Sequence, residues 1–88
     1  MVSKDFTIIN KAGLHMRPAQ VFAVEMNRFS ADVTIQCGGK DINAKSIMGL
    51  MAAGIQCGAQ ITVVCDGADE QTALDAASAL IASGFGEK

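Results

Sequence analysis

Residues 11–29, with the sequence KAGLHMRPAQVFAVEMNRF, contain the change of pattern that determines the fold. From Pro18 onward, apolar residues recur at spacings of three and four, which places them on one face of a helix. These residues are Ala19, Phe22, Ala23, Met26 and Phe29. Proline suits the first turn of a helix, because the amide hydrogen that it lacks would have no partner there. The stretch therefore predicts a loop that leads into an amphipathic helix.

On both sides of this helix the pattern is typical of β-strands. Phe6–Ile9 alternate apolar and polar residues before the loop, which predicts a first strand, and Val33–Cys37 alternate in the same way. The pair Gly38-Gly39 separates the latter run from Asp41–Asn43, which predicts a hairpin with a two-residue turn. Ile61–Cys65 is rich in β-branched residues, which favours a further strand.

Two more helices are predicted from their first residues. Ser46 is a favourable N-cap for a short helix that Gly54 ends, and Asp69 is a favourable N-cap for a last helix that ends at Gly84. The buried face of the last helix is expected to contain Ala73, Ala76, Ala77, Leu80 and Ile81. The order βαββαβα predicts an α+β, two-layer open-faced sandwich, with three helices on one face of a four-stranded sheet.

Length and charge restrict the classes of function. A chain of 88 residues is expected to form a single domain over residues 1–88. The net charge of −2 and the absence of a basic run argue against nucleic-acid binding. The sequence has no apolar run long enough to span a bilayer, and its first residues lack the features of a signal peptide. We therefore expect a cytoplasmic protein without membrane insertion.

The three cysteines do not predict a disulfide framework or a metal centre. Cys37, Cys57 and Cys65 are an odd set without the spacing of a zinc site. A metal site built from His15 and these thiols is disfavoured for the same reason. We expect reduced thiols, no metal and no cofactor.

The rare residue types are clustered. The only histidine, the only proline and one of the two arginines occur within His15-Met16-Arg17-Pro18. If His15 precedes the first helical turn, the amides at 16 and 17 have no intrahelical partners and the helix dipole adds positive potential. Residues 16–18 then form an anion site, to which Arg17 adds a guanidinium suited to phosphate.

The same positive potential favours a neutral, nucleophilic imidazole, and no acidic residue occurs from 11 to 24. His15 is therefore a candidate phosphoryl acceptor. The alternative, that His15 is an ordinary capping or surface residue, stays open on spacing alone.

Two segments resemble one known family. Residues 12–19, AGLHMRPA, resemble the active-site motif of HPr, the histidine-containing phosphocarrier family of the bacterial phosphotransferase system, and residues 45–51, KSIMGLM, resemble its second motif. The resemblance implies an antiparallel sheet of order 1-4-2-3. It also implies that His15 receives a phosphoryl group on Nδ1 from Enzyme I, which phosphoenolpyruvate has charged, and passes it to a sugar-specific Enzyme IIA. Such a protein is a carrier and has no independent turnover of a small molecule.

Ser46 has two interpretations. As an N-cap it stabilises the helix by about 1 kcal/mol relative to alanine, and this alone would explain it. A phosphate there would be favourably placed against the helix dipole and next to Lys45. The family resemblance implies phosphorylation by the ATP-dependent HPr kinase/phosphorylase of Gram-positive-type members, which reduces transfer through the histidine and creates a ligand for the catabolite control protein.

Two other classes of protein are alternatives to the carrier. One is a regulatory paralogue that acts mainly through phospho-Ser46 as a transcription-factor co-effector, although that role does not need the nucleophile His15. The other is a small-molecule-binding sandwich, for which the sequence offers no polar constellation outside His15 and Arg17.

A docking surface for protein partners is expected beside these sites. Ile47, Met48 and Met51 are too many apolar residues for one face of a short helix, and the alternative is that all three lie in the core. Together with Met16 and Gln20 they are the predicted docking residues. Where this family commonly has a small residue the chain has Met16, and where it often has a polar one the chain has Ala12. Both differences concern docking preference and transfer rate.

Overall fold

The computed structural model describes residues 1–11 and 13–86. Within them the chain forms four strands, three α-helices and one 3-10 turn. In chain order these are β1 (Val2–Thr7), α1 (Met16–Met26), β2 (Asp32–Cys37), β3 (Lys40–Asn43), α2 (Ile47–Ala52), β4 (Gln60–Asp66), α3 (Glu70–Ala82) and the turn Gly84–Gly86. The predicted order βαββαβα is confirmed, and the 3-10 turn is an addition to it.

All neighbouring strands are antiparallel, and the sheet order is β1-β4-β2-β3. Ile35 of β2 lies opposite both Val63 of β4 and Ile42 of β3, so one apolar row crosses the sheet beneath the helices. The opposite face has Thr62 and Gln36 in register and is mostly polar, with Val64 as an apolar exception. The predicted α+β fold with strand order 1-4-2-3 is confirmed.

The first strand lies earlier in the chain than predicted. It covers Val2–Thr7, whereas Ile8 and Ile9 belong to the loop that follows. Lys4 obscured the alternation of apolar and polar residues, because a charged residue stands on the inward-facing side of this edge strand. Its amine lies 5.5 Å from the ring centre of Phe6. Ile8 is nevertheless buried, and its backbone bonds to the loop before β4, at Gly58 (2.7 Å) and Ala59 (2.9 Å).

Small side chains let the helices approach the sheet closely. Ala19 and Ala23 of α1 and Ala73 and Ala77 of α3 are almost completely buried. Phe22 fills the space between them and meets the ring of Phe85 edge to face at 5.8 Å. The core thus combines large apolar residues from the sheet, the helices and the loops with these small alanines.

The predicted helix faces agree with the structure in most positions. In α3, Leu74 is buried in addition to the expected residues, whereas Ala76 and Leu80 are only half-buried. Helix α1 begins at Met16, directly after His15, and Pro18 lies inside its first turn, as predicted. Phe29 lies beyond the end of α1 and is half-buried.

Asp69 stands at the N-cap position of α3, but its carboxylate does not cap that helix. It accepts hydrogen bonds from the backbone amides of Ser30 (3.0 Å) and Ala31 (2.8 Å) in the turn between α1 and β2. The expectation of a side-chain cap was therefore wrong, because these amides are the donors within its reach. Their hydrogen bonds, first that of Ser30, lower the pKa of Asp69 below its ordinary value.

This bridge predicts a defined loss of stability in acid. Because the pKa of Asp69 is lower in the folded state, its contribution is complete above the unfolded-state pKa of about 4 and is lost as the pH falls through the folded-state pKa. Asp69→Asn should lower the free energy of unfolding near neutral pH and remove this part of the acid dependence. Urea denaturation over a pH series measures both effects.

Asp41→Asn is the matched control, because Asp41 is exposed and makes no hydrogen bond through its side chain within the residues that the structure describes. Equal losses in the two variants would contradict a specific role for the Asp69 bridge.

Candidate functional site

His15 is the N-cap residue of α1 and is exposed to solvent. Its backbone is extended, with φ −93° and ψ −156°, and its carbonyl accepts the first bond of the helix from the amide of Ala19 at 2.9 Å. The imidazole makes no capping hydrogen bond. Among the described residues the imidazole therefore has no hydrogen bond at the helix start that a reaction would have to break.

The amides predicted to form an anion site lie directly after His15, in the first turn of α1. Neither Met16 nor Arg17 donates its amide to an acceptor within residues 1–11 and 13–86, as expected for the first turn of a helix. Arg17 is exposed and forms no ion pair in the same part of the chain. Pro18 is buried and fixes the direction of this turn. The structure thus brings His15, the two amides and a free guanidinium together in one turn.

Asn10 holds the loop before His15, and sequence analysis missed it. It is the only polar residue among the buried ones in the described part of the chain. The side-chain amide of Asn10 donates to the backbone carbonyl of Gly13 at 2.7 Å, and the backbone carbonyl of Asn10 accepts from the backbone amide of Gly13 at 3.0 Å. Asparagine at the first position and glycine at the fourth are typical of a β-turn, so this signal was present in the sequence. Ala12, whose departure from the family pattern was noted above, lies outside the described residues.

Gly13 and Leu14, which directly precede His15, are fixed against the loop between α2 and β4. The amide of Leu14 donates to the carbonyl of Ile55 at 2.9 Å, and both side chains are buried. Gly13 has φ +66°, and a Cβ atom there would stand 2.4 Å from the Ile55 carbonyl oxygen and 2.7 Å from the Cα of Gln56. His15 therefore follows directly after a backbone segment that has little freedom to move.

Ser46 is the N-cap of α2, as predicted. Its Oγ accepts from the amide of Gly49 at 3.0 Å. The side chain of Asn27 donates to the Lys45 carbonyl at 3.0 Å, and Lys45 Nζ donates to the Phe29 carbonyl at 2.7 Å. The ammonium of Lys45, expected to be available to a phosphate, is thus occupied by a backbone carbonyl in this structure.

These contacts place Ser46 at the far end of α1 from His15. Asn27 is the C-cap of α1 and His15 is its N-cap, and a helix of 11 residues is about 16 Å long. The structure therefore does not bring the two candidate sites into contact.

The predicted docking residues are exposed to different degrees. Met48 and Met16 are 79% and 64% exposed, whereas Ile47 and Met51 are at 37% and 38%. Gln20 is exposed as well, and Leu50 is the buried residue of α2. The alternative that all the apolar residues of α2 lie in the core was wrong, because only one side of so short a helix faces the core.

Val24 is a further exposed apolar residue, at 59%, that the sequence analysis missed. It lies one helical turn after Gln20, so the spacing of four was the available signal. Helices α1 and α2 pack against each other, and their outer surfaces together contain these side chains.

The cysteines and the acidic residues do not gather into a metal centre in the part of the chain that the structure describes. Cys37 is half-buried, Cys57 is exposed, and Cys65 is buried in β4, where desolvation raises the pKa of its thiol. No described helix is both long enough and apolar enough to cross a membrane.

Comparison with known proteins identifies the family. A family model described as the PTS HPr component phosphorylation site matches residues 2–83. The chain therefore belongs to the HPr family of phosphocarrier proteins of the phosphotransferase system. It is 44% identical to the phosphocarrier protein HPr of Cupriavidus necator, over 99% of this chain and 98% of that protein.

The chain is also similar to an HPr-like protein called Crh and to a solved HPr structure. The chain is 47% identical to the HPr-like protein Crh of Halalkalibacterium halodurans, over 92% of this chain and 96% of that protein. Its fold superposes on the crystal structure of HPr-C-His from Thermoanaerobacter tengcongensis with a TM-score of 0.96 and 40% identity, covering 100% of this chain and 99% of the other.

The contact at Gly13 predicts that Gly13→Ala is strongly destabilising. The new methyl group would meet two backbone atoms that cannot rotate away, and the left-handed backbone adds strain. The expected loss is about 2 kcal/mol or more of unfolding free energy, from a strain of 1–3 kcal/mol for such positions plus the clash. Urea denaturation measures it.

Gly54→Ala is the matched control, because Gly54 has the same φ of +66° and nothing within 4 Å of its Cβ position. The difference between the two variants isolates the contact with Ile55 and Gln56. Equal losses would show that backbone conformation alone accounts for Gly13.

Proposed function

We propose that the protein is a phosphocarrier in which His15 accepts a phosphoryl group from phospho-Enzyme I and donates it to sugar-specific Enzyme IIA proteins. The observation that supports this proposal is the exposed imidazole at the N-cap of α1. Beside it lie two amides and a guanidinium that have no partners among the described residues. Family membership supports the general phosphocarrier role. The protein acts as an intermediate and turns over no small molecule by itself.

The chemistry is an exchange at phosphorus. A ring nitrogen of His15 supplies an electron pair and forms the nitrogen–phosphorus bond, while the bond between phosphorus and Enzyme I breaks and its electron pair returns to Enzyme I. The charged oxygens then lie beside the amides of Met16 and Arg17 and the Arg17 guanidinium. Transfer to Enzyme IIA repeats the exchange in the opposite sense. The proposal places the protein in the cytoplasm, where phosphoenolpyruvate is produced.

The first test uses intact mass after incubation with phosphoenolpyruvate and Enzyme I. The wild-type protein should gain one acid-labile phosphate, and His15→Ala should gain none. Arg17→Ala should slow the gain by about tenfold or more, since it removes an electrostatic partner of the transferred group. Arg28→Ala is the control, because Arg28 is exposed but already paired with Glu25. A wild-type protein that gains no phosphate would overturn the proposal.

A regulatory role like that of a Crh protein is the second candidate. The observation that favours it is the 47% identity to the HPr-like protein Crh, which is similar to the identity to HPr itself. In that case Ser46 would be the working site and the protein would serve as a co-effector of a transcription factor. Rapid, His15-dependent phosphate gain from Enzyme I discriminates in favour of the carrier.

We further propose that Ser46 is phosphorylated by an HPr kinase/phosphorylase and that the product slows transfer through His15 and binds the catabolite control protein. With about 16 Å between the ends of α1, the modified serine does not reach His15 directly. Its charge of about −2 acts instead on an acidic Enzyme I surface that approaches α1 and α2.

This mechanism predicts that Ser46→Asp slows phosphorylation of His15, and that the effect shrinks as salt is added. Added salt weakens a repulsion through solvent, because the Debye length is only about 10 Å at 0.1 M. The rate of phosphohistidine formation is measured at low and at high salt by quenching the reaction at a series of times. Ser46→Asn is the matched control, since asparagine retains the N-cap acceptor without the charge. Equal rates for Ser46→Asp and Ser46→Asn would remove the electrostatic mechanism.

A further inference from the structure

Gly49 is the exception among the nine glycines of the chain. The other eight have positive φ angles, which favour glycine over every other residue. They are Gly13, Gly38, Gly39, Gly54, Gly58, Gly67, Gly84 and Gly86. Gly49 instead lies inside α2 with a right-handed backbone that any residue adopts. Its backbone conformation therefore does not explain why it is glycine.

Helix stability does not explain it either. Glycine is the least favourable residue for a helix interior apart from proline, and α2 has only six residues. Alanine at position 49 would favour the helix. A different requirement must outweigh this effect.

The surroundings of Gly49 indicate what that requirement is. A Cβ atom at this position would lie 3.3 Å from Oγ and 3.4 Å from Cβ of Ser46, and the next nearest atom is the Asn43 carbonyl oxygen at 3.8 Å. The first two distances are tight but leave room for a small adjustment. The missing side chain thus leaves space around one group, the Ser46 hydroxyl.

The hydrogen bonding of Ser46 fits the same interpretation. Its oxygen accepts from the Gly49 amide at 3.0 Å, which fixes the direction of the side chain. Its own hydroxyl hydrogen has no acceptor among the described residues. The hydroxyl is held in one orientation with its proton available to an outside base.

We infer that Gly49 is a specificity-determining residue for modification of Ser46, because it keeps space open for the phosphoryl group. This inference rests on the proposed phosphorylation of Ser46. In that reaction Ser46 Oγ forms a bond to the γ-phosphorus of ATP, the bridging oxygen–phosphorus bond breaks, ADP leaves with the electron pair, and a base of the kinase takes the hydroxyl proton. A methyl group 3.3 Å from Oγ occupies part of the space that the three new oxygens need.

The test compares Gly49→Ala with the wild type in two assays. With ATP and HPr kinase/phosphorylase, the variant should acquire acid-stable phosphate at Ser46 at least about tenfold more slowly, as expected when reacting groups are misplaced. With phosphoenolpyruvate and Enzyme I, phosphate gain at His15 should be unchanged, which also shows that the variant is folded. Ser46→Ala gives the zero level of the first assay.

The outcomes separate this inference from the proposal on which it depends. A wild-type protein that the kinase does not modify overturns both. A wild-type protein that is modified, with Gly49→Ala modified at the same rate, overturns the role of Gly49 alone.

A second measurement leaves the kinase out, because the methyl group of Gly49→Ala would also alter the contact between the kinase and α2. In a Ser46→Cys background, Gly49→Ala should slow alkylation of the introduced thiol by iodoacetamide, followed by peptide mapping. The exposed native Cys57 lies outside α2 and serves as the internal reference. An unchanged ratio of the two alkylation rates would overturn the steric explanation.

Discussion

The hydrogen bond from the Leu14 amide to the Ile55 carbonyl is the contact on which the arrangement of the site depends. It joins the loop after β1 to the loop before β4, and Gly13 allows the two backbones to meet at a distance that excludes any side chain. Leu14 is anchored in the core as a result. Helix α1 therefore starts at a fixed point, and His15 is displayed there without support from its own side chain.

The length of α1 then sets the relation between the two candidate sites. His15 is at one end of the helix, and Asn27 at the other end binds the carbonyl of Lys45, next to Ser46. One helix thus has the proposed phosphoryl acceptor His15 at its start and the proposed modification site Ser46 near its end. A partner that lies along α1 and α2 meets both, although neither residue touches the other.

The sequence predicted element types and their order well, because the apolar spacing reports which face of each element is buried. It failed where a residue had a choice of partners. Asp69 is a favourable cap by type, yet it binds the amides at 30 and 31, which are distant in sequence. Lys45 likewise bonds to the Phe29 carbonyl, and Lys4 hid the alternation of β1 by lying over Phe6. Asn10 was recognisable as a turn residue, but its burial depends on packing that no local pattern contains.

The uncapped start of α1 has a consequence for the energetics of carrying phosphate. Because the first amides of α1 have no acceptor within the described residues, a phosphoryl group on His15, as proposed, would supply one and would stabilise the loaded form over the empty one. A charge at a helix start contributes only about 0.3–1 kcal/mol. The helix start therefore stabilises the phosphoryl group only weakly compared with the nitrogen–phosphorus bond. Most of the free energy of transfer that the donor supplied is retained for transfer to the acceptor. A deeper and better enclosed anion pocket would trap the group that this protein has to release.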